Sequence, residues 1–189
     1  MKSLKMYPTS LNDRYLDEAV DVLRAGGIII YPTDSLYALG CDALNNRAIE
    51  ALCKVKGLDP RKHTLSVVCS DLSMASEYAR IDNEAFRILR RNLPGPFTFI
   101  LPAATTLPKV FKGRRNVGIR VPDSTIARAL AERLGHPMLS TSVEEGVEYD
   151  RVAALMIDGG ETDGTPSAVV DITDSRSPEI VREGKLELQ

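Results

Sequence analysis

Apolar residues along this chain follow helical spacing in some segments and strand spacing in others. Leu16, Ala19, Val20 and Leu23 recur at helical spacing, and a pair of glycines shortly afterwards predicts the end of that helix. The uninterrupted apolar run at 28–31 that follows is typical of a buried strand. The first third of the chain is therefore predicted to contain a helix that leads into a buried strand.

The rest of the chain continues this mixture. Further helices are predicted over 48–55, 72–78, 84–93 and 124–134, with a short one over 150–154. Further strands are predicted over 64–69, 97–101, 116–121, 138–142, 155–157, 168–172 and 179–181. Because helices and strands do not alternate regularly, we expect an α/β fold with a twisted, mixed β-sheet flanked by helices, rather than a doubly wound parallel sheet. A single domain should span residues 1–189, with its core over about 13–184.

Composition supports one domain and narrows its environment. With 189 residues, of which 43% are hydrophobic, the chain can bury a substantial core. The formal net charge is −2, so any anion-binding surface must be local. Cys41, Cys53 and Cys69 form no metal-binding motif and are expected to be buried, reduced thiols. Neither a signal peptide nor a membrane span is expected, which indicates a cytoplasmic protein.

Polar residues gather where several predicted strands end. Thr33 and Tyr37 follow the first buried strand, and Ser140 and Ser142 lie at the end of the strand predicted over 138–142. Hydroxyls in such positions can bind a polar small molecule, or they can satisfy the backbone of a turn. On residue types alone, the turn is the commoner arrangement.

A basic segment at 54–64 is a second candidate site. It joins a helix end to a glycine, and it includes Lys56, Arg61 and His63. Positive charge together with free backbone N–H groups suits phosphate binding, while a solvated helix end would have the same composition. His63 is a better candidate than His136, because only His63 adjoins this segment.

Thr98 and Arg120 are further candidates. Thr98 follows a Pro-Gly-Pro turn, and Arg120 lies inside an apolar strand. Strand alternation directs Arg120 away from its apolar neighbours, and a buried arginine needs an anionic partner. That partner is either a structural Asp or Glu or the carboxylate or phosphate of a ligand.

A second basic segment, 107–115, directly precedes the strand of Arg120. It contains no acid, and its charges come from Lys109, Lys112, Arg114 and Arg115. Such a segment could close over a triphosphate or contact an RNA backbone, although a charge cluster of this kind is usually a solvated surface.

These segments together resemble the YrdC/YciO family. Pro-Thr-Asp-Ser-Leu-Tyr-Ala-Leu at 32–39 is close to the family's Pro-Thr-Asp-Thr-x-Tyr-Gly-Leu, and Pro-Gly-Pro-Phe-Thr at 94–98 matches its Pro-Gly-Pro-x-Thr. Ser-Thr-Ser at 140–142 and Ser-Ala-Val-Val-Asp at 167–171 are similar to two more family segments. The resemblance covers nearly the whole chain and is closer to the YciO branch than to the standard synthases.

The resemblance implies a YrdC-like domain with a concave basic pocket and an activity like that of threonylcarbamoyl-AMP synthase. Such enzymes are nucleotidyltransferases that make threonylcarbamoyl-adenylate from L-threonine, bicarbonate and ATP, for the threonylcarbamoyladenosine modification of tRNA. Mg²⁺ bound with ATP is implied, without a tightly bound metal. By the same resemblance Lys56 and Arg120 are catalytic cations. The implied substrate- and nucleotide-binding residues are Thr33, Tyr37, Thr98, Ser140, Ser142, Ser167 and Arg182. His63 is added to them because it adjoins the basic segment.

Two positions depart from the pattern of active family members. Leu58 stands where they carry the arginine of a Lys-x-Arg motif, and Glu144 stands where they carry an asparagine. An isobutyl group cannot replace a guanidinium clamp, and losing such a charge-assisted contact costs about 1.5–3 kcal/mol of binding. Arg61 or Lys62 is predicted to reach into the site as a substitute, which makes Arg61 a further candidate binding residue.

These departures leave three functional interpretations. The chain is a weakly active synthase, or a protein that binds nucleotide or double-stranded RNA without efficient catalysis, or an enzyme that performs a related nucleotidyl transfer with another amino acid. The predicted partners are ATP, L-threonine and bicarbonate, with RNA and tRNA-modification proteins as further candidates and no membrane.

Overall fold

A computed structural model describes residues 1–108 and 115–189 of the chain. Within these residues the strands are β1 (Lys2–Lys5), β2 (Ile29–Tyr31), β3 (Ala38–Asp42), β4 (Ser66–Val68), β5 (Phe97–Pro102), β6 (Asn116–Arg120), β7 (Met138–Ser142), β8 (Leu155–Asp158), β9 (Ala168–Asp171) and β10 (Glu179–Arg182). The helices are α1 (Asp13–Arg24), α2 (Asn46–Val55), α3 (Leu72–Tyr78), α4 (Asn83–Asn92) and α5 (Thr125–Leu134). The α/β composition predicted from apolar spacing is confirmed.

All the described strands join one mixed sheet, in the order β1-β8-β2-β3-β7-β4-β6-β5-β9-β10. Parallel pairs are β1 with β8, β2 with β8, β4 with β6, and β5 with β9. The remaining pairs, including β3 with β7 and β4 with β7, are antiparallel. The prediction of a mixed sheet rather than a doubly wound parallel one is therefore confirmed.

Helices cover both faces of the sheet because its strands are apolar on both sides. Side chains of α1 and α5 pack in one cluster with Ile29 and Tyr31. Side chains of α2 to α4 pack in a second cluster with Ile28 and Ile30, which point to the opposite face. The sheet is thus the central layer of a three-layer domain.

Helix ends follow local sequence signals. The side chain of Ser124 accepts the backbone N–H of Ala127 at 3.2 Å and caps α5, as its position predicts. Gly135 ends that helix with a φ of 86°, a left-handed conformation that glycine adopts without steric cost. Asn12 caps the start of α1 through its side-chain oxygen in the same way.

The prediction of a short helix over 150–154 is wrong. The backbone N–H of Ala153 donates to the Tyr149 carbonyl at 2.8 Å and closes one turn. The next N–H, that of Ala154, donates instead to the Ile28 carbonyl at 2.9 Å. The turn stops there because the chain has begun to pair with the sheet ahead of β8.

Two strands were absent from the sequence prediction. β1 contains two lysines and no apolar run, and it pairs only with β8 at the edge of the sheet. β3 contains Gly40 and Asp42, yet every one of its residues is buried between β2 and β7. A side chain on Gly40 would place a Cβ 2.6 Å from the Tyr31 ring, so the close approach of the two strands requires glycine there.

Candidate functional site

A cavity of about 510 Å³ opens over the middle of the sheet. Neighbouring strands β3 to β7, β9 and β10 contribute to its wall, together with the end of α2 and the segment after it. A volume of this size suits a small molecule. Its described lining residues are Ser35, Leu36, Ala38, Leu52, Leu58, Lys62, His63, Thr64, Leu65, Ser66, Thr98, Ile100, Arg120, Leu139, Ser140, Thr141, Ser142, Pro166, Ser167, Val169 and Arg182.

The charge of this lining is positive. Lys62, His63, Arg120 and Arg182 contribute basic side chains, and none of the described lining residues is an Asp or Glu. Eight Ser and Thr residues of the same wall add hydroxyl groups, on β4, β5 and β7 and in the loops. Such a surface favours a ligand that carries negative charge and several hydrogen-bond acceptors.

Arg120 is the most deeply buried of these cations. Its guanidinium donates to Asp34 Oδ1 at 3.0 Å and to Ser35 Oγ at 3.2 Å, and its Nε is buried without a hydrogen-bond partner among the described residues. Burial lowers the pKa of Arg120, although Asp34 counteracts this effect. Burial likewise raises the pKa of Asp34 against the opposing effect of Arg120. The structural carboxylate that the sequence allowed as a partner is therefore Asp34.

Hydroxyl pairs fix the floor of the cavity. Ser140 Oγ lies 2.6 Å from the hydroxyl of Tyr31, a fully buried side chain whose pKa burial raises to about 12. Thr98 Oγ1 lies 3.0 Å from Ser167 Oγ. Arg182 donates to the carbonyl of Ser167 through Nε at 3.0 Å and through a terminal nitrogen at 2.6 Å. Thr98, Ser167 and Arg182 thus form one hydrogen-bonded group of predicted site residues. Ser140, also predicted, is bonded to Tyr31 instead.

The hydroxyls of Thr33 and Tyr37 bond to the backbone of loops and do not line the cavity. Thr33 Oγ1 donates to the Leu36 carbonyl at 2.6 Å and accepts the Ser35 N–H at 3.1 Å, so its hydroxyl is used within its own turn. The hydroxyl of Tyr37 donates to the Gly160 carbonyl at 2.6 Å. Neither side chain is among the described lining residues.

Lys56 lies behind the cavity wall. Its ammonium donates to the Ser142 carbonyl at 2.9 Å and forms an ion pair with Glu144. The Lys56 side chain is 6% exposed, whereas that of Glu144 is 59% exposed. Leu58 and Ser142 both line the cavity, whereas Lys56 and Glu144 are not among its described lining residues.

Of the two predicted substitutes for the missing arginine, the structure brings only Lys62 to the cavity. The side chain of Arg61 is 90% exposed and pairs with Asp59 at 3.3 Å, outside the described lining. His63 does line the cavity, and its Nδ1 lies 3.2 Å from the backbone N of Asp59.

Three predicted features can be compared with the described residues only in part. Lys109, Lys112 and Arg114 of the second basic segment lie outside them, while Arg115 is exposed. Within residues 1–108 and 115–189, no group of three or more His, Cys, Asp or Glu side chains could hold a metal ion. No helix in the same ranges is long and apolar enough to cross a membrane.

Sequence reasoning passed over Tyr31, Ser66 and Asp34 as parts of the site. Tyr31 and Ser66 belong to apolar strands and gave no polar signal, since their partners come from distant strands. Asp34 lies in the segment 32–39, and its link to Arg120 joins residues that are 86 positions apart.

Comparison with known proteins adds a sequence family to this geometry. The Sua5/YciO/YrdC family profile, described as "Telomere recombination", matches residues 21–184. YciO of Escherichia coli, an uncharacterized protein, is 40% identical over an alignment 194 positions long. The alignment covers 95% of this chain and 93% of YciO. The threonylcarbamoyl-AMP synthase of Halorhodospira halophila is 34% identical over 121 residues, or 64% of this chain and 63% of that enzyme.

Solved structures agree with these sequence matches. The crystal structure of E. coli YciO superposes with a TM-score of 0.90 at 38% identity, and the match covers 100% of this chain and 98% of YciO. The crystal structure of P. abyssi Sua5 in complex with L-threonine gives a TM-score of 0.89 at 26% identity. That match covers 98% of this chain but only 58% of the longer Sua5 chain.

Proposed function

The chain belongs to the Sua5/YciO/YrdC family, and from this premise we propose that its cavity binds ATP and L-threonine and forms threonylcarbamoyl-adenylate at a low rate. The observation that carries the proposal is the lining of the cavity, which combines Lys62, His63, Arg120 and Arg182 with hydroxyls and has no acid among its described residues. A nucleotide and an amino-acid carboxylate both require cationic and hydrogen-bonding groups of this kind.

Two relatives favour these substrates. The H. halophila relative is a threonylcarbamoyl-AMP synthase, and P. abyssi Sua5 was crystallised with L-threonine. The 40% identity to E. coli YciO leaves the activity open, because YciO is itself uncharacterized. The more distant relatives therefore suggest the substrates, and this chain's own residues suggest that the reaction is slow.

The proposed reaction needs little covalent participation by the protein. The threonine amine adds to carbon dioxide from bicarbonate and loses a proton to give a carbamate, whose oxygen attacks the α-phosphorus of ATP. The bond to the β-phosphate oxygen breaks and pyrophosphate leaves. Lys62 and Arg182 would neutralise phosphate charge, and Arg120 would add positive charge at the cavity wall. Thr98 and Ser140 would orient polar groups.

Mg²⁺ would enter this site with ATP. It neutralises phosphate charge when bound, and it needs only one or two carboxylates besides the phosphates and water.

Leu58 and the Lys56–Glu144 ion pair are the reasons to expect a low rate. Leu58 gives the cavity an apolar surface where active family members have an arginine, and Glu144 neutralises Lys56. The same two features favour a second candidate, a protein that binds nucleotide or double-stranded RNA without efficient catalysis. In that case affinity for RNA should fall steeply with salt, because phosphate contacts dominate such binding.

The test is to incubate the protein with ATP, Mg²⁺, bicarbonate and L-threonine and to quantify threonylcarbamoyl-adenylate and pyrophosphate by chromatography. We expect product that is lost in Arg182→Gln and retained in Arg151→Gln, a matched substitution of an exposed arginine outside the cavity lining. Bound ATP without product would support the second candidate, and a salt titration of RNA affinity would follow. Product formed equally by both variants would place the reaction away from this cavity.

A further inference from the structure

The ammonium of Lys56 already contacts two oxygen atoms of the protein. Lys56 is the C-cap residue of α2, and its side chain runs under the end of β7, where it contacts the Ser142 carbonyl and the Glu144 carboxylate. Only 6% of the side chain is exposed. A ligand therefore cannot use this cation without replacing a partner that is built into the fold.

Glu144 is held in place by its loop as well as by the ion pair. Its backbone N–H donates to the Tyr149 hydroxyl at 3.3 Å, and its carbonyl accepts the Val147 N–H at 3.3 Å. The preceding residue, Val143, donates to the Tyr37 carbonyl at 2.9 Å. These contacts fix the backbone of the loop from which the Glu144 carboxylate reaches Lys56.

The ion pair adjoins the cavity through Ser142. Ser142 and Leu58 both line the cavity, and the Ser142 carbonyl accepts from Lys56 directly behind the wall. The pair carries no net charge, and its more exposed member is Glu144, with 59% of its side chain exposed against 6% for Lys56. A phosphate that extends past Ser142 would thus meet a carboxylate before it meets an ammonium, and like charges at contact repel.

We propose that Glu144 limits the length of the phosphate chain that this cavity accepts, so that the site favours a nucleoside monophosphate or an acyl-adenylate over a nucleoside triphosphate. The inference rests on the proposed function, because it takes the cavity as a nucleotide site. It deepens that function by naming the ligand class, and it attributes weak formation of the adenylate to one residue. Lys62 and Arg182 line the cavity itself and would bind the first phosphate.

The test compares AMP, ADP and ATP by isothermal titration calorimetry, each with and without Mg²⁺. The proteins are wild type, Glu144→Gln and Glu145→Gln, which removes a neighbouring exposed carboxylate as a matched control. Wild type should bind AMP at least as tightly as ATP. Glu144→Gln should tighten ATP binding by about tenfold, equivalent to about 1.4 kcal/mol. The same change should alter AMP binding by less than about threefold, and Glu145→Gln should leave both affinities within about twofold.

A second substitution checks that the gain acts through Lys56. Adding Lys56→Met to Glu144→Gln should return ATP affinity to the wild-type value, and thermal melting of each variant verifies that it is folded. An ATP affinity that is unchanged in Glu144→Gln overturns the inference and leaves the proposed function standing. A weakened ATP affinity confined to Mg²⁺ also overturns it, since Glu144 would then be a ligand of the cation. Absence of nucleotide binding in every variant overturns both proposals.

Discussion

Replacement of Asp34 by Asn is predicted to destabilise the protein strongly, because it leaves the Arg120 guanidinium buried without a counter-charge. The two side chains are only 10% and 8% exposed, and they lie 3.0 Å apart. Asp34 also accepts the Asp123 backbone N–H at 2.7 Å, a bond that the Asn side-chain oxygen can still accept. The substitution therefore removes charge while it preserves shape and one hydrogen bond.

The magnitude follows from the burial of the pair. Removing one partner of a buried ion pair typically costs about 3–5 kcal/mol. Arg120 faces the cavity, where water can solvate it in part, so we expect a loss of about 3 kcal/mol at the lower end of that range. For a chain of this length the loss corresponds to a fall in Tm of about 6–12 °C.

Urea unfolding and thermal melting at pH 7 measure this loss. The matched control is Asp13→Asn, which breaks a contact to Arg133 on the surface, where the Asp13 side chain is 83% exposed, and should cost less than about 1 kcal/mol. Combining Asp34→Asn with Arg120→Met should recover much of the lost stability, because no unpaired charge is then buried. A loss for Asp34→Asn no larger than that of the control would refute the reasoning.

Two further predictions concern other parts of the sheet. Burial would raise the pKa of Asp42, but hydrogen bonds from His136 and a backbone N–H lower it overall, so its carboxylate stabilises the fold above the unfolded pKa of about 4. Urea titrations from pH 7 to pH 3 should therefore show Asp42→Asn less stable than wild type at neutral pH, with the difference shrinking below about pH 4; a constant difference would contradict this. Gly118→Ala would set a Cβ 2.4 Å from Ser66 Oγ and 3.1 Å from Thr98 Cγ2. It should cost about 1–3 kcal/mol in urea unfolding and weaken ATP binding in calorimetry, because both contacted residues line the cavity; unchanged values would contradict the close packing.

Sequence patterns predicted most of the fold because the signals that form helices are local. α5 begins directly after its cap Ser124 and ends before Gly135, as the capping residues predict. β3 has no comparable signal, since Gly40 and Asp42 interrupt its apolar residues and the strand is recognisable only by its pairing with β2 and β7. The helix predicted over 150–154 is wrong for the opposite reason, because a helical signal is present but only one turn forms. The next residue, Ala154, already bonds to Ile28 beside the sheet.

The candidate site was predicted less completely than the fold, because its partners are distant in sequence. Thr98, Ser140 and Arg182, which the motif resemblance implies as site residues, all line one cavity. The resemblance could not reveal that Glu144 neutralises Lys56, since the two residues are 88 positions apart. Each departure from the family motif was visible in the sequence, but only the structure shows that Leu58 lines the cavity and that Glu144 pairs with Lys56.

The order of strands also constrains how the chain reaches its native state. β2 and β3 lie between β8 and β7, and β5 lies between β6 and β9, so early strands depend on neighbours that are synthesised much later. A sheet with such long-range pairing closes large loops before it gains stability, and proteins of this kind fold slowly. Until Leu155–Asp158 emerges, β1 and the outer side of β2 have no strand beside them. Nascent chains halted before that point would present unpaired strand edges, which are the surfaces from which aggregation begins.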